Sequence, residues 1–171
     1  DLDKDPAACF LLVAAPLIQD AYHQVMNAVS VLAQRYGNDI FDQEVAVSLL
    51  LRRMVNNILT IIARVLVMEM RLANLQGLLK GESSEERFSY FISQLYKKSY
   101  SFELLRQYPV MARQLVTYTQ HWIETHLEFL ERLCADFALL QTSFASDNQP
   151  LGKLTELKTE LSDKHRNGRT V

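Results

Sequence analysis

The sequence predicts a mainly α-helical protein: a bundle of long amphipathic helices followed by a short C-terminal strand and loop. Three observations support this fold class. Apolar residues recur three and four positions apart over long stretches, which is the pattern of a helix with one buried face. Only five glycines and four prolines interrupt the 171 residues, too few for a sheet with many turns. The polar loop 146–150 then introduces a segment rich in threonine and leucine.

The composition is that of a globular protein, because 49% of the residues are hydrophobic and 22% are charged. A net charge of -2, with basic residues spread along the helices, argues against a nucleic-acid partner. The apolar run 45–70 contains several charged residues, so we expect no membrane span. Cys9 and Cys134 are far apart and lack metal-ligand spacing, so we expect no metal site. With no signal-peptide pattern, a cytoplasmic protein is expected.

The first helix is predicted to begin at Asp5 and Pro6, because aspartate caps helices and proline is tolerated in the first turn. Pro16 either kinks this helix or separates it from a second helix over residues 17–36. Gly37 ends the second helix. Three apolar residues at helical spacing are expected on its buried face: Val25, Val29 and Leu32.

A very long helix is predicted from Gln43 to about Lys80, with Asp42 as its N-cap and Gly81 as its end. Its apolar positions follow the spacing of one helix face: Val47, Leu50, Leu51, Met54, Ile58, Ile61, Ile62, Val65 and Met68. The apolar stripe is wide enough to contact two neighbouring helices. We therefore expect this helix to be central.

Ser83 and Glu86 have the spacing of a capping box, which predicts a helix over residues 84–98. Ser101 is predicted to cap one further turn through Leu105. Four residues form the expected inner face of the first of these helices: Phe88, Phe91, Ile92 and Leu95.

Pro109 is predicted to begin the last long helix, which extends to about residue 144. One seam of this helix is expected to pack inward: Thr119, Trp122, His126, Phe129, Leu133, Phe137, Leu140 and Phe144. Glu128 and Arg132 are expected to pair on an outer face. His126 is either a catalytic base or a satisfied core or boundary histidine. The second interpretation is favoured, because no acid or nucleophile is visibly placed beside it.

The C-terminal segment 152–161 is predicted as a strand, with a helix as the alternative. Thr170 and Val171 then begin a second strand that has no continuation, so we expect the chain to be a fragment. Between the strands, four ionisable residues surround Gly168: Asp163, His165, Arg166 and Arg169. Such a loop suits an anionic phosphate, because guanidinium groups neutralise charge and glycine permits close approach. The alternative is an ordinary charged turn.

Four blocks resemble the class II lanthipeptide synthetases (LanM type). They occupy residues 108–115, Trp122 with 128–136, 150–152 and 162–169. The last block, Ser-Asp-Lys-His-Arg-Asn-Gly-Arg, is the most specific and matches the family's Ser-Asp-x-His-x-x-Gly-Arg pattern without departure. The order and spacing of the blocks are similar to the N-terminal part of the family's dehydration domain. The helices before Tyr108 fit only in being helical and apolar.

The resemblance implies a specific chemistry. Such enzymes use ATP and Mg²⁺ to phosphorylate serine and threonine of a ribosomally made precursor peptide, then eliminate the phosphate to leave dehydroamino acids. Residues 1–146 would be the helical scaffold of the dehydration domain, and 147–171 the start of its kinase-like small lobe. In that lobe the resemblance implies that Asp163 and His165 are catalytic residues near the phosphates, with Arg169 a weaker candidate for the same pocket.

The family's ATP-anchoring lysine, catalytic aspartate and magnesium ligands would lie beyond Val171, as would the zinc-binding cyclase domain. The fragment alone is therefore expected to be inactive and to hold no cofactor, because phosphoryl transfer depends on those groups. The alternative function is a non-catalytic helical module that binds a partner in an apolar groove.

Overall fold

The structure, a computed structural model, describes residues 6–37, 40 and 42–144. These residues form helices and contain no strand, which confirms the mainly α prediction for this part of the chain. In chain order the elements are a 3-10 segment Pro6–Ala14, α1 Ala15–Tyr36, α2 Gln43–Leu75, α3 Ser84–Leu95, α4 Lys98–Gln107 and α5 Pro109–Phe144. The predicted strand 152–161, the loop 162–169 and the second strand at Thr170 lie outside the described residues and stay predictions.

The first helical stretch begins at Pro6 as predicted but is wound as a 3-10 helix. The α-helical winding starts at Ala15, which places Pro16 in the first turn of α1. Proline is tolerated there because the first N–H groups of a helix need no partner within it. Pro16 therefore lies where the 3-10 winding changes to α-helical winding. This agrees with the second alternative, in which Pro16 separates two helices. Gly37, with a φ of 87°, follows α1 as predicted.

Both ends of α2 are fixed by local hydrogen bonds. At the N-terminus, Asp42 Oδ1 accepts from the backbone N–H of Glu44 at 3.0 Å and of Val45 at 3.1 Å, which confirms the predicted N-cap. At the C-terminus, Leu78 N–H donates to Ala73 O at 2.9 Å and Gly77 N–H donates to Asn74 O at 3.1 Å. This is a Schellman motif, with Gly77 in the left-handed conformation. The prediction that α2 extends to Lys80 and Gly81 was wrong, because Gly77 ends it first.

The capping box of α3 is present as predicted. The Ser83 hydroxyl accepts from the backbone N–H of Glu86 at 3.1 Å, and the Glu86 carboxylate accepts from the N–H of Ser83 at 3.3 Å. The same carboxylate accepts from the N–H of Glu82 at 2.7 Å, and these backbone hydrogen bonds lower the pKa of Glu86. Gly81 precedes the box with a φ of 131°, and a Cβ there would lie 2.6 Å from the Cβ of Glu86.

The junction of α3 and α4 differs from the prediction. Helix α3 ends at Leu95 rather than at Lys98, and Lys98 instead begins α4. Ser101 therefore lies inside α4 and does not cap it. Its buried hydroxyl donates to the Leu95 carbonyl at 2.8 Å. A serine that was predicted to start a helix thus satisfies one of the free carbonyl groups at the end of the preceding one.

The described residues form two compact units. The first contains the described residues up to Ala21 together with Arg53–His121, and the second contains Tyr22–Arg52 together with the described residues from Trp122 onward. The boundaries fall inside α1, α2 and α5, so each of these helices contributes to both units. This division lies within the predicted scaffold 1–146 and does not test the predicted boundary near residue 146.

Aromatic packing anchors the 3-10 segment in the first unit. The Phe10 ring lies 6.3 Å from that of Phe91 at 88° and 6.2 Å from that of Phe88. Phe91 in turn meets Tyr100 of α4 edge to face, at 6.4 Å. The pairs of Phe91 with Phe10 and with Tyr100 are edge-to-face, which is one of the favoured geometries of aromatic pairs. The predicted inner face of α3 is confirmed, since Phe91, Ile92 and Leu95 are buried and Phe88 is half-buried.

Helix α2 supplies the core of the first unit with a continuous line of buried side chains. Met54, Ile58, Ile62 and Leu66 are each 0% exposed. The predicted stripe was too wide, because Ile61 and Val65 are half-buried and Met68 is 67% exposed. With 3.6 residues per turn, Met68 lies about 100° around the helix from the middle of the buried line.

In the second unit, Val25, Val29 and Leu32 of α1 are buried as predicted. Gln43 Nε2 of α2 donates to Ser30 Oγ of α1 at 2.5 Å, and Arg35 of α1 forms an exposed ion pair with Glu131 of α5. The predicted Glu128–Arg132 pair is also present.

The two cysteines are free thiols in different environments. Cys134 is 0% exposed in the second unit, and burial raises the pKa of its thiol to about 11, with a smaller contribution from the charge of Glu131. Cys9, in the 3-10 segment, is only partly buried.

The seam predicted for α5 is displaced around the helix. Thr119 and Phe137 are buried, and Trp122, His126 and Leu133 are half-buried. Phe129 and Leu140 are 59% and 45% exposed, so their predicted inward packing was wrong. The side chain of Phe144 lies outside the described residues. In this half of α5 the buried face is the neighbouring stripe: Ile123, Leu127, Leu130, Cys134, Phe137 and Gln141, of which three are fully buried.

We expect Gly77→Ala to lower the free energy of unfolding by about 1 kcal/mol, because an alanine must adopt the left-handed conformation there. The added Cβ would meet nothing within 4 Å. Gly81→Ala should cost more, because its Cβ also collides with the backbone and Cβ of Glu86. Urea denaturation of the two variants measures both effects. Equal losses would show that the contact with Glu86 imposes no constraint.

The Thr119 hydroxyl, on a side chain that is 2% exposed, has no hydrogen-bond partner among the described residues. A buried unsatisfied polar group costs about 1–3 kcal/mol. We therefore expect Thr119→Val to raise the free energy of unfolding by about 1 kcal/mol, and Thr119→Ser, which keeps the hydroxyl and loses a methyl group, to lower it. Thermal denaturation of both variants gives the comparison. A valine variant less stable than the parent would indicate that the hydroxyl is satisfied.

Candidate functional site

The residues predicted to carry the chemistry are Asp163, His165 and Arg169. All three lie outside the residues that the structure describes, as do Arg166 and Gly168 of the same loop. Whether they come together around a phosphate therefore remains a prediction. Among the described residues, the polar side chains that come closest to forming a site lie in the first unit, where α2 and α5 pair.

One side-chain hydrogen bond joins α2 to α5, and a second joins α2 to Tyr108, the residue just before α5. Asn57 Nδ2 donates to the Tyr118 hydroxyl oxygen at 2.7 Å, and the Tyr108 hydroxyl donates to Glu69 Oε2 at 2.6 Å. Residue numbers rise along α2 as they fall along α5, so the two helices are antiparallel. Together with the bond between Gln43 and Ser30 in the second unit, these contacts give α2 the two neighbouring helices that its wide stripe predicted.

The Tyr108–Glu69 pair is a partly buried phenol held by a carboxylate. The hydrogen bond to Glu69 raises the pKa of Tyr108 to about 12, with smaller contributions from burial and from the negative charge of Glu69. Burial, followed by the charge of Glu69, also raises the pKa of Tyr100. Both phenols are therefore protonated at neutral pH. Tyr108 can donate a hydrogen bond but cannot act as a general base there.

An open hollow of about 530 Å³ lies beside the Asn57–Tyr118 bond. Its lining comes from one residue of α2 and five of α5: Ile61, Val110, Arg113, Gln114, Thr117 and Tyr118. Burial raises the pKa of Tyr118, while the bond from Asn57 and the positive charge of Arg53 oppose that rise. The hollow combines apolar walls with one guanidinium, an amide and two hydroxyls, a lining that can bind a polar ligand with an apolar part.

A second hollow in the first unit, of about 150 Å³, lies between the end of α2 and the start of α3. Arg87, which contributes to its lining, is occupied by the carbonyl groups of Gly81 and Glu82, at 3.3 Å and 3.1 Å. These bonds hold the turn before α3. The second hollow is therefore a structural feature of that turn.

His126 is a half-buried histidine with satisfied contacts, as the favoured interpretation predicted. Its ring stacks on Trp122 with a centroid separation of 3.5 Å, and its Nδ1 lies 2.9 Å from the Trp122 carbonyl oxygen. A carbonyl oxygen only accepts, so Nδ1 carries the proton in this bond. The described contacts of His126 give no sign of a catalytic base.

The described residues show neither a metal-binding cluster nor a membrane-spanning helix. They contain no group of three or more histidine, cysteine, aspartate or glutamate side chains that could hold a metal ion. In the same ranges, every helix is too short or too polar to cross a lipid bilayer.

Sequence reasoning missed the bonds from Asn57 to Tyr118 and from Tyr108 to Glu69, because each joins residues far apart in the chain. The sequence nevertheless contains a signal for the surface where helices α2 and α5 pair. No acidic residue occurs between Val45 and Met68, or between Pro109 and Ile123, although both stretches contain arginine.

The Tyr108–Glu69 contact predicts an alkaline titration. Because the folded pKa of Tyr108 lies above its ordinary value of 10, the contact stabilises the fold below pH 10 and this contribution is lost as the pH rises towards 12. Phenolate absorbance should show a tyrosine that ionises only as the pH approaches 12. We expect Glu69→Gln to lower the pKa of that tyrosine, and Tyr108→Phe to remove it from the titration. Tyr96→Phe, on an exposed side chain of the same unit, is the control and should leave the late tyrosine in place.

Comparison with known proteins gives one family match. Residues 108–171 match the model of a domain of unknown function, DUF4135. No curated protein and no solved structure matches the chain. The match begins at Tyr108, the residue that binds Glu69, and its described part is Tyr108 and α5. The C-terminal part of the chain is therefore similar to DUF4135, and the described helix of the matched part pairs with α2.

Proposed function

We propose that the chain is part of a lanthipeptide dehydratase. In this proposal the whole enzyme phosphorylates serine and threonine of a ribosomally made precursor peptide and then eliminates the phosphate. The observation that carries the proposal is the block Ser162–Arg169, with its aspartate, histidine, glycine and arginine at the spacing typical of that family. The DUF4135 match supports it, because the match begins at the residue where the resemblance begins and extends through the block.

The roles proposed for the block follow from the chemistry of a phosphorylated side chain. Elimination removes the proton from the carbon next to the carbonyl group, forms a carbon–carbon double bond and releases inorganic phosphate. Asp163 and His165 are suited to positioning the phosphate or moving that proton, since a carboxylate and an imidazole act as acid or base near neutral pH. The guanidinium of Arg169 suits the phosphate charge.

ATP and Mg²⁺ are the cofactors of the proposed reaction, with ATP supplying the phosphoryl group. The described residues offer no cluster of ligands for Mg²⁺. We therefore assign no magnesium ligand to them, and assign the described helices a supporting role. In this proposal, residues 1–146 form the helical scaffold and 147–171 begin the kinase-like lobe.

A second candidate function is a non-catalytic interaction module. The observation in its favour is the number of large apolar side chains that the described helices expose, among them Phe102 at 70% and Val110 at 71%. ATP binding by the full-length protein separates the two candidates. A dehydratase should bind ATP, whereas an interaction module should not.

The block can be tested in the full-length protein with ATP, Mg²⁺ and a precursor peptide. We expect Asp163→Ala and His165→Ala each to slow dehydration at least about a hundredfold, the scale of a lost acid or base. Binding of the peptide should change little, because the block is proposed to contact phosphate. Mass spectrometry measures the reaction, since each dehydration removes one water and each trapped phosphorylation adds one phosphate.

Asn167→Ala is the matched control, because it alters the same block at a position outside the Ser-Asp-x-His-x-x-Gly-Arg pattern. It should dehydrate the peptide at the parental rate. Full dehydration by both the Asp163 and His165 variants would remove the roles assigned to these residues. Absence of any ATP-dependent modification by the parent protein would contradict the proposed function itself.

A further inference from the structure

The charge of the first unit is unevenly distributed. Residues 53–68 of α2 and 109–121 of α5 contain Arg53, Arg64 and Arg113 and no acidic residue, in a chain whose net charge is -2. All three arginines are exposed. Within the described part of the chain, none of the three forms an ion pair. Their positive charge is therefore free to attract an anionic partner.

Helix pairing brings these arginines onto one surface. Along α2, Arg53, Asn57, Ile61 and Arg64 follow the three-and-four spacing of a single helix face. Asn57 bonds to Tyr118 of α5, and the charge of Arg53 acts on that same tyrosine. Ile61 and Arg113 both line the 530 Å³ hollow. We call Arg53, Arg64 and Arg113, with the hollow, the arginine face.

The arginine face also exposes apolar surface. Val110, in the lining of the hollow, is 71% exposed, and Met68 is 67% exposed one turn beyond Arg64 on the same face of α2. An anion alone, such as phosphate, would leave these side chains in water. A partner that carries both carboxylates and apolar side chains would pair with the arginines and cover the apolar surface at once.

We propose that the arginine face binds an acidic amphipathic peptide segment. Carboxylates of the peptide would pair with Arg53, Arg64 and Arg113, because guanidinium groups match carboxylates in a two-pronged geometry. Its apolar side chains would enter the hollow against Ile61 and Val110. The proposal rests on charge and exposure in the first unit and does not require that the chain be part of a dehydratase.

A peptide fits the arginine face better than a nucleic acid does. Three guanidiniums are a small electrostatic footprint, and the sequence pI of about 6.1 is far below the values above 9 that are typical of nucleic-acid-binding domains. The apolar walls of the hollow would also gain little from a phosphate backbone. Nucleic-acid binding is therefore an outcome that the experiment must be able to detect.

The test measures fluorescence anisotropy of labelled synthetic helical peptides with the full chain. One peptide carries leucine and glutamate on adjoining faces, and the matched peptide carries glutamine in place of glutamate. We expect the glutamate peptide to bind more tightly, and its affinity to fall as salt rises, because exposed charges are screened. The variant Arg53→Gln, Arg64→Gln, Arg113→Gln should bind it at least about tenfold more weakly.

The matched control removes the same charge elsewhere, through Lys98→Gln, Arg106→Gln and Arg132→Gln, and should keep the parental affinity. Val110→Ser, which alters the hollow and keeps all charges, should weaken the binding of both peptides. Circular dichroism checks that the variants remain helical. If the triple variant loses helicity, Arg113→Gln alone supplies the test, with a smaller expected loss of about two- to fivefold.

Three results would overturn the proposal. Equal affinities of the glutamate and glutamine peptides would exclude recognition by charge. Tighter binding of a labelled single-stranded oligonucleotide, lost in the arginine variant, would assign the face to nucleic acid. Concentration-dependent association of the chain in light scattering, abolished by the same variant, would assign it to a second copy.

Discussion

The line of buried side chains on α2 is the constraint on which the first unit depends. Met54, Ile58, Ile62 and Leu66 lie on one face with no exposed surface. Burying one such side chain contributes about 1.5–3 kcal/mol, whereas a typical hydrogen bond contributes about 0.5–1.5 kcal/mol net. Burial therefore decides which face of α2 turns inward. The polar bonds at Asn57 and Glu69 then set which residues of α5 lie opposite.

Helix starts were predictable from sequence, because their signals are local. An N-cap, a capping box and a proline each act within three or four residues, and Asp42, Ser83 and Pro109 all mark starts that the structure contains. Ends were less predictable. Gly77 and Gly81 are both suited to end a helix, and the choice depends on whether the neighbouring backbone can complete the Schellman bonds.

Which face of a helix packs inward could be predicted for α1 and α3 but not for all of α5. The large aromatic residues Trp122 and Phe129 dominated the predicted seam, while the buried face uses the smaller Ile123 and Cys134. Side-chain size is a poor guide here, because the other helices determine which stripe is covered. Those helices are distant in sequence, so a periodic pattern alone does not fix the phase.

The two candidate sites also differ in how far they could be predicted from the sequence. Asp163, His165 and Arg169 were singled out from residue types and spacing in one short block, which requires no fold. The arginine face could not be assembled in that way. Arg53 and Arg113 share it only because two antiparallel helices bring them together, and only the lack of acidic neighbours is visible in the sequence.

The contrast between the two cysteines has a practical consequence. Thiol reagents react with the thiolate form of cysteine. Cys134 is buried and its pKa is raised, so almost none of it is thiolate at neutral pH. Cys9 is the more accessible thiol, on the segment that packs against α3 through Phe10. A maleimide dye added to the native protein would thus mark a single position, and spectroscopic work on this chain could begin without engineering a cysteine.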